Sequence, residues 1–278
     1  MIGRKPDLVC IGAQKAATSW FNRVMSARDD CWSPPFKELH FFDYKFTPEN
    51  RGWIRTHVVK GVEAAEARHR KNQEEPDKAY LRYLDSILEP PLFNGTWYKQ
   101  LYARAPDRMI CLDTTPEYSC ISEEGVEFVA KFLREARFIY ILRDPVDRAL
   151  SQIRMHIRRK KKENPTTKGQ WLRIARLDVL DNRGDYATYV PRWQKHFDER
   201  RLLFLPYRDI STDPRAVMRR VEAFANLQKE DPWGLDQPAN ISQKLEIPDY
   251  VVAELEQRLQ PQRDFLHSHF GADFAART

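Results

Sequence analysis

Short unbroken apolar runs alternate along this chain with longer stretches whose apolar residues recur every three or four positions. Residues 8–11, 109–112, 138–142 and 202–205 are of the first kind, and such runs predict strands buried on both faces. Residues 18–27, 126–133 and 146–159 are of the second kind and predict helices. Between 48 and 90 the chain is charged, with Tyr80, Leu81, Tyr83, Leu84, Ile87 and Leu88 at helical spacing and Pro90-Pro91 as the stop. Gly184-Asp185-Tyr186 opens a helix carrying Tyr189, Trp193 and Phe197. Asp213 and Pro214 are placed as N-cap and first residue of a helix reaching about Leu227, and the tail from Pro248 reads as helical. Residues 32–43, WSPPFKELHFFD, read as an extended aromatic segment because of their proline pair. Strands alternating with helices predict an α/β fold, a parallel sheet flanked by helices on both faces.

The length of 278 residues suits a single domain, 1–278, and 42% hydrophobic residues suffice for a sizeable core. The net charge of +6 comes from abundant residues of both signs. That balance suits an anionic ligand but is too weak and mixed to imply nucleic acid. Cys10, Cys31, Cys111 and Cys120 show no metal-binding spacing, and buried thiols favour a reducing, cytoplasmic setting. No apolar leader precedes Asp7, and no run approaches the roughly 20 apolar residues of a membrane span. The basic run 158–162 reads as a solvated helix end.

The chemistry gathers first at DLVCIGAQKAATSW, residues 7–20. A strand ends in Gly12, Lys15 follows, then Thr18 and Ser19 open a helix. A helix N-terminus offers unpaired N–H groups and a positive dipole end, so this layout suits a phosphate. It is not a Walker A loop, which needs GxxxxGK[ST]; the lysine here precedes the Thr-Ser pair by three residues. Arg143 stands at the end of the 138–142 strand, placed to clamp an anion bidentately, with Ser151 two helical turns on. The alternative is that Arg143 merely pairs with Asp144 or with a helix C-terminus. In KELHFFD, an extended backbone puts Glu38 and His40 on one face. That pair can serve as general base and partner, and apolar walls would raise the Glu38 pKa by desolvation.

Taken together these motifs resemble the sulfotransferases that use 3′-phosphoadenosine 5′-phosphosulfate (PAPS). IGAQKAATSW is similar to their 5′-phosphosulfate loop, RFIYILRDPVDRALS to their 3′-phosphate motif, and KELHFFD to the EVHFFD segment of heparan sulfate and related carbohydrate sulfotransferases. DTTPEY stands where those enzymes carry KTPxY, and the likeness runs from about residue 7 to 227. It implies the sulfotransferase fold, a P-loop-like parallel sheet. It also implies in-line sulfuryl transfer from PAPS to a hydroxyl of a carbohydrate or small-molecule alcohol, without a metal. Carried over by residue, Lys15 would stabilise the leaving phosphate, and Ala16, Ala17, Thr18 and Ser19 would wrap it. Trp20 would stack on adenine, and Arg143 and Ser151 would hold the 3′-phosphate. Glu38 would be the base and His40 its neighbour, while Tyr186 would contribute to the nucleotide pocket. Three departures stand out. Ala17 replaces a glycine, Thr114 replaces a lysine, and no RKG-like segment is present, so that Lys244 is the candidate for its 3′-phosphate contact. A lumenal fragment of a Golgi enzyme stays open as the alternative location. Two rival functions also stay open: a small-molecule kinase using ATP, and a non-catalytic nucleotide-binding protein of the same fold.

Overall fold

The computed structural model describes residues 3–160, 164–237 and 245–278. Five parallel strands form its centre: β1 (Leu8–Gly12), β2 (Cys31–Trp32), β3 (Ile110–Thr114), β4 (Arg137–Leu142) and β5 (Leu202–Pro206), in the order β2-β3-β1-β4-β5. Every residue of β1, and all of β4 beyond Arg137, is buried, as strands covered on both faces must be. Val9 lies opposite Asp113 on one side and Phe138 on the other, and the pairing of β1 with β4 shifts register between Cys10 and Gly12.

The helices that cover the sheet are α1 (Thr18–Ser26), α2 (Phe41–Phe46), α3 (Arg51–Asn72), α4 (Lys78–Ile87), α5 (Gly95–Gln100), α6 (Glu123–Phe132) and α7 (Pro145–Lys160). They continue with α8 (Lys168–Ala175), α9 (Asp178–Asn182), α10 (Tyr186–Gln194), α11 (Tyr207–Thr212), α12 (Pro214–Ala225) and α13 (Asp249–Phe270). Asp213 caps α12 by accepting from the Ala216 N–H at 2.9 Å, with Pro214 at the first position, as the sequence predicts. The charged stretch 48–90 is two helices, α3 and α4, whose inner faces bury Ile54, Val58, Val62, Leu84 and Ile87. A second apolar cluster, not foreseen from the pattern, joins α7, α8, α9 and α13 through Ile153, Trp171, Leu180 and Leu255. Among the described residues no helix is long and apolar enough to cross a membrane.

The extended reading of residues 32–43 needs correction. β2 ends at Trp32, and α2 begins at Phe41. Glu38 (φ 65°) and His40 (φ 53°) both adopt left-handed backbone in between. The turn is held from the sheet: the Glu38 N–H donates to the Thr114 carbonyl at 3.2 Å and the Leu39 N–H to Thr115 Oγ1 at 2.9 Å. Consecutive Phe41 and Phe42 are both buried. Phe41 stacks on Tyr98 at 4.5 Å and Phe42 meets Tyr118 at 4.9 Å, so these aromatics are core.

The chain passes from β1 to β2 and β3 on one side of the sheet, then to β4 and β5 on the other. Strand order therefore reverses beside β1. In open parallel sheets ligands bind at the carboxyl ends of strands, where such a reversal opens a crevice. The loop after β1 occupies that place.

Candidate active site

The loop from Ala13 to Ala17 leaves the core and turns back into α1. The Ala13 N–H donates to the Ile141 carbonyl at 2.7 Å, tying the loop to β4. Lys15 (φ 74°) and Ala17 (φ 59°) are left-handed. An alanine in that region costs on the order of 1–2 kcal/mol, so the position taken by glycine in the motif is kept here against strain. Ala17 is the N-cap of α1, and no side chain caps the helix. Its first N–H groups are therefore directed at whatever anion occupies the turn. Lys37, which the sequence reading gave no role, reaches the same spot, with Nζ 3.2 Å from both Thr18 Oγ1 and Ser19 Oγ.

Lys15 and Arg143 meet across the loop. Arg143 Nη1 donates to the Lys15 carbonyl at 2.8 Å, its guanidinium lies 4.3 Å over the Tyr207 ring, and its Nε is buried without a partner. The Asp144 alternative does not hold: that carboxylate accepts from Arg263 at 2.6 and 3.1 Å and caps α7. Among the described residues the Lys15 ammonium has one hydrogen-bond contact, Met155 Sδ at 3.6 Å. Burial, with the charges of Arg158, Arg159 and Arg143, pushes its pKa down to about 8. Arg158 and Arg159 are exposed, as a solvated helix end should be, yet their charge falls on this loop. Among the described residues, none of these four cations lies within ion-pair distance of a carboxylate. Such a surplus calls for a polyanion.

Other predicted contacts sit differently. Ser151 is buried on α7. Tyr186 is fully buried, and its hydroxyl donates to the Arg143 carbonyl at 2.9 Å, so it supports the backbone of Arg143. Trp20 is 3% exposed, and its indole N–H donates to the Leu235 carbonyl at 3.0 Å. In this structure the residues around 235 cover the ring. Lys244 lies outside the described residues.

The left-handed turn brings Glu38 and His40 together by a route other than strand alternation. Glu38 Oε2 lies 3.7 Å from His40 Nε2, and Glu38 Oε1 lies 3.4 Å from Lys37 Nζ. His40 Nδ1 is 2.9 Å from Asp43 Oδ2. Burial lowers the His40 pKa, but Asp43 and Glu38 outweigh it and lift it to about 9. Glu38 is opposite to the expectation. Burial raises its pKa, yet His40 and the Lys37 charge overcome that and hold it below the usual carboxylate range. The group is thus ionised at neutral pH, and its partners weaken its hold on a proton. His57 Nε2, on α3, lies 3.1 and 3.0 Å from the carbonyls of Lys37 and Glu38 and braces the same turn. Beneath it Asp113 accepts from Thr115, Tyr98 and Tyr118 at 2.7, 2.7 and 3.1 Å. Burial, partly offset by those hydroxyls, raises its pKa to about 6.

Glu38, His40 and His57 bring ligand atoms within 4.8 Å of one another. Tetrahedral zinc at about 2.1 Å from each ligand needs them roughly 3.4 Å apart. A cation would have to draw them inward from the 4.8 Å within which they lie.

Asp43 could have been found from its spacing, three residues beyond His40. Trp53 and His57 lie in a segment without a motif, and only the fold brings Trp53 to His40 and His57 to the carbonyls of Lys37 and Glu38.

A family model described as the sulfotransferase family matches residues 6–231. Among curated proteins, human heparan sulfate glucosamine 3-O-sulfotransferase 3B1 is 27% identical over 139 residues, which is 48% of this chain and 35% of that protein. Mouse bifunctional heparan sulfate N-deacetylase/N-sulfotransferase 4 is 31% identical over 117 residues, 37% of this chain and 13% of its own length. The match thus spans about a third, or less, of these relatives. Among solved structures, a sulfotransferase from Alicyclobacillus acidocaldarius superposes with a TM-score of 0.67 at 19% identity, covering 95% of both chains. Mouse sulfotransferase SULT7A1, complexed with PAP, gives 0.51 at 15% identity over 98% of this chain and 88% of its own. A family match over most of the length, on a parallel sheet that brings Lys15 after β1 and Arg143 after β4 together, establishes that this chain belongs to the sulfotransferase family.

Proposed function

We propose that the chain transfers the sulfuryl group of PAPS to a hydroxyl, most simply that of a carbohydrate. One observation carries the reading: Lys15 and Arg143, both lacking a carboxylate partner among the described residues, flank an uncapped helix N-terminus beside the ionised Glu38. A nucleotide with phosphate at both the 5′ and 3′ positions would satisfy that surplus. The solved relative complexed with PAP supports the choice of nucleotide, and the heparan sulfate enzymes support the choice of acceptor.

In this reading Arg143, with Ser151, holds the 3′-phosphate, and its orphaned Nε gains a partner. The α1 N–H groups, Thr18 and Ser19 hold the 5′ end. Lys37, bridging that end and Glu38, supplies the positive charge expected at position 114, where Thr114 now stands. Glu38 takes the acceptor proton as its oxygen attacks sulfur. Lys15, protonated once an anion lies beside it, stabilises the charge left on the 5′-phosphate oxygen. One well-aimed donor of this kind is worth roughly 3 kcal/mol. His40, fixed by Asp43, keeps the Glu38 carboxylate oriented.

The test is calorimetric binding of adenosine 3′,5′-bisphosphate against ADP without magnesium, followed by transfer of labelled sulfate from PAPS. Binding of the bisphosphate alone is the expected result. Equal affinity for ADP would favour an ATP-using kinase and overturn the reading.

A further inference from the structure

Three of the five residues in the loop after β1 are alanines, Ala13, Ala16 and Ala17. They offer only backbone to hold the loop in place. The loop nevertheless keeps Lys15 and Ala17 in left-handed backbone, a conformation that costs free energy for residues other than glycine. Of the two longer side chains, Lys15 carries the ammonium that has to stay free for an anion. Anchoring by a side chain therefore falls to Gln14.

Gln14 is gripped at both ends of its amide. Its Nε2 donates to Glu117 Oε2 at 3.3 Å, and its Oε1 accepts from Arg183 Nη1. Arg183 and Glu117 close the ring, with Nε and Nη2 donating to Glu117 Oε1 at 3.0 and 2.6 Å. The two charged side chains are only 16% and 11% exposed, so water competes little for these bonds. The amide has one favoured orientation, oxygen toward the cation and nitrogen toward the carboxylate. Glu117 stands in the short helical turn Pro116–Cys120 after β3, and Arg183 stands between α9 and α10. Three residues beyond Arg183, Tyr186 donates to the Arg143 carbonyl at 2.9 Å, and Arg143 donates back to the Lys15 carbonyl at 2.8 Å. The segment 183–186 thus holds the neighbour of Lys15 at one end and Arg143 at the other. It lies close over a buried floor: a Cβ on Gly184 would come within 2.9 Å of Nε of the fully buried Arg148.

We infer that Arg183 is a positioning residue, which aims Lys15 by clamping Gln14 against Glu117. This deepens the reading above and rests on it for the identity of the nucleotide. Lys15 acts on charge that develops in the transition state, so its placement affects the rate more than ground-state binding. The same four residues carry the support of Arg143. The loop for the 5′ end and the arm for the 3′-phosphate are therefore referred to one bracket. The role suits an arginine, whose planar fork serves a carboxylate and an amide at once; a lysine supplies the charge as a point and lacks that geometry.

The test uses the full chain and two conservative variants. Gln14→Met keeps the length of the side chain and removes the amide, and Arg183→Lys keeps the charge and removes the fork. Each should lower kcat for transfer of labelled sulfate from PAPS to a heparan sulfate oligosaccharide about thirtyfold, within the roughly hundredfold that a misplacement near 1 Å can cost. KM for PAPS should stay within about threefold. The double variant should be no slower than either single one, because both changes open the same clamp. In a readout that needs no nucleotide, amide hydrogen exchange should quicken at residues 13–18 in both variants and stay at the wild-type rate in β1 and β4. The inference is overturned if either variant keeps kcat within about twofold, if the two losses multiply in the double variant, or if exchange quickens throughout the sheet. A rise in acceptor KM confined to Arg183→Lys would make that residue a substrate contact and overturn it too. If the wild type neither binds adenosine 3′,5′-bisphosphate nor turns over, the transfer reading falls, and the exchange rates alone decide for or against the clamp.

Discussion

Replacing Arg143 with alanine should weaken adenosine 3′,5′-bisphosphate far more than 5′-AMP, and the two losses have separate structural origins. One guanidinium donor, Nη1, is spent on the Lys15 carbonyl at 2.8 Å. It shapes the loop whether or not the ligand carries a 3′-phosphate. Losing one such bond costs about 1 kcal/mol, or roughly fivefold in affinity, for either nucleotide. The remaining donors include Nε, buried and unpartnered, and they are free for a phosphate. Hydrogen bonds to charged groups are worth about 1.5–3 kcal/mol each, and two at the lower figure give about 3 kcal/mol. The variant should then bind the bisphosphate about three orders of magnitude more weakly and 5′-AMP about fivefold more weakly. Isothermal titration of both ligands against both proteins, with competition where binding is weak, closes the cycle. If both ligands lose affinity by the same factor, Arg143 acts only through the loop and the 3′-phosphate is read elsewhere.

Glu38→Gln keeps the shape of the turn but removes the proton acceptor, so it should abolish transfer while the bisphosphate still binds; retained turnover would shift the role of base to His40. Lys15 loses its proton near pH 8 in the free protein, and an anion beside it restores the charge. Nucleotide binding between pH 8 and 9 should therefore take up a proton, and affinity should fall by up to about tenfold per pH unit across that window; enthalpies that do not vary with buffer ionisation heat would contradict this. Arg28 is fully buried, paired with Asp30 and Glu222 at 2.7 Å each, and Arg28→Ala leaves the buried Glu222 with Arg219 as its cation and the Glu230 N–H as a further donor. That should cost about 3 kcal/mol of stability in urea unfolding, and a loss below about 1 kcal/mol would mean that Arg219 suffices alone.

Four of the five strands, their parallel pairing and the loop after β1 were legible because two-sided burial leaves unbroken apolar runs, whereas the two-residue β2, Cys31–Trp32, is too short to leave one. Arg143 was legible for the same reason, as the first polar residue beyond such a run. The nearness of Glu38 and His40 was legible but its cause was not. Two left-handed residues produce it, and the backbone partners that hold them, Thr114 and Thr115, lie about 75 positions away in sequence. The pKa of Glu38 went the other way for a related reason. Burial can be inferred from apolar neighbours in the chain, but the opposing effects of Lys37 and His40 depend on side-chain distances that only the turn creates. Tyr186 and Trp20 were located near the correct loop, yet both bury their rings. No pattern of residues announces which aromatic at a site will be covered.

Asp113 has a consequence for how acceptor choice can change. It lies fully inside the protein and gathers three hydroxyls, two of which pass the connection on: Thr115 to the Leu39 N–H and Tyr118 to the Phe41 N–H, at 2.9 and 3.1 Å. The turn bearing the base is thus suspended from the interior at two points. The helix α3 adds a brace through His57, whose Nε2 lies 3.1 and 3.0 Å from the carbonyls of Lys37 and Glu38. Substitutions along its outer face can alter what is admitted while the carboxylate stays where the sheet has put it. In the proposed reading, the base is therefore placed by the interior of the protein, and the outer surface around it can drift without moving it.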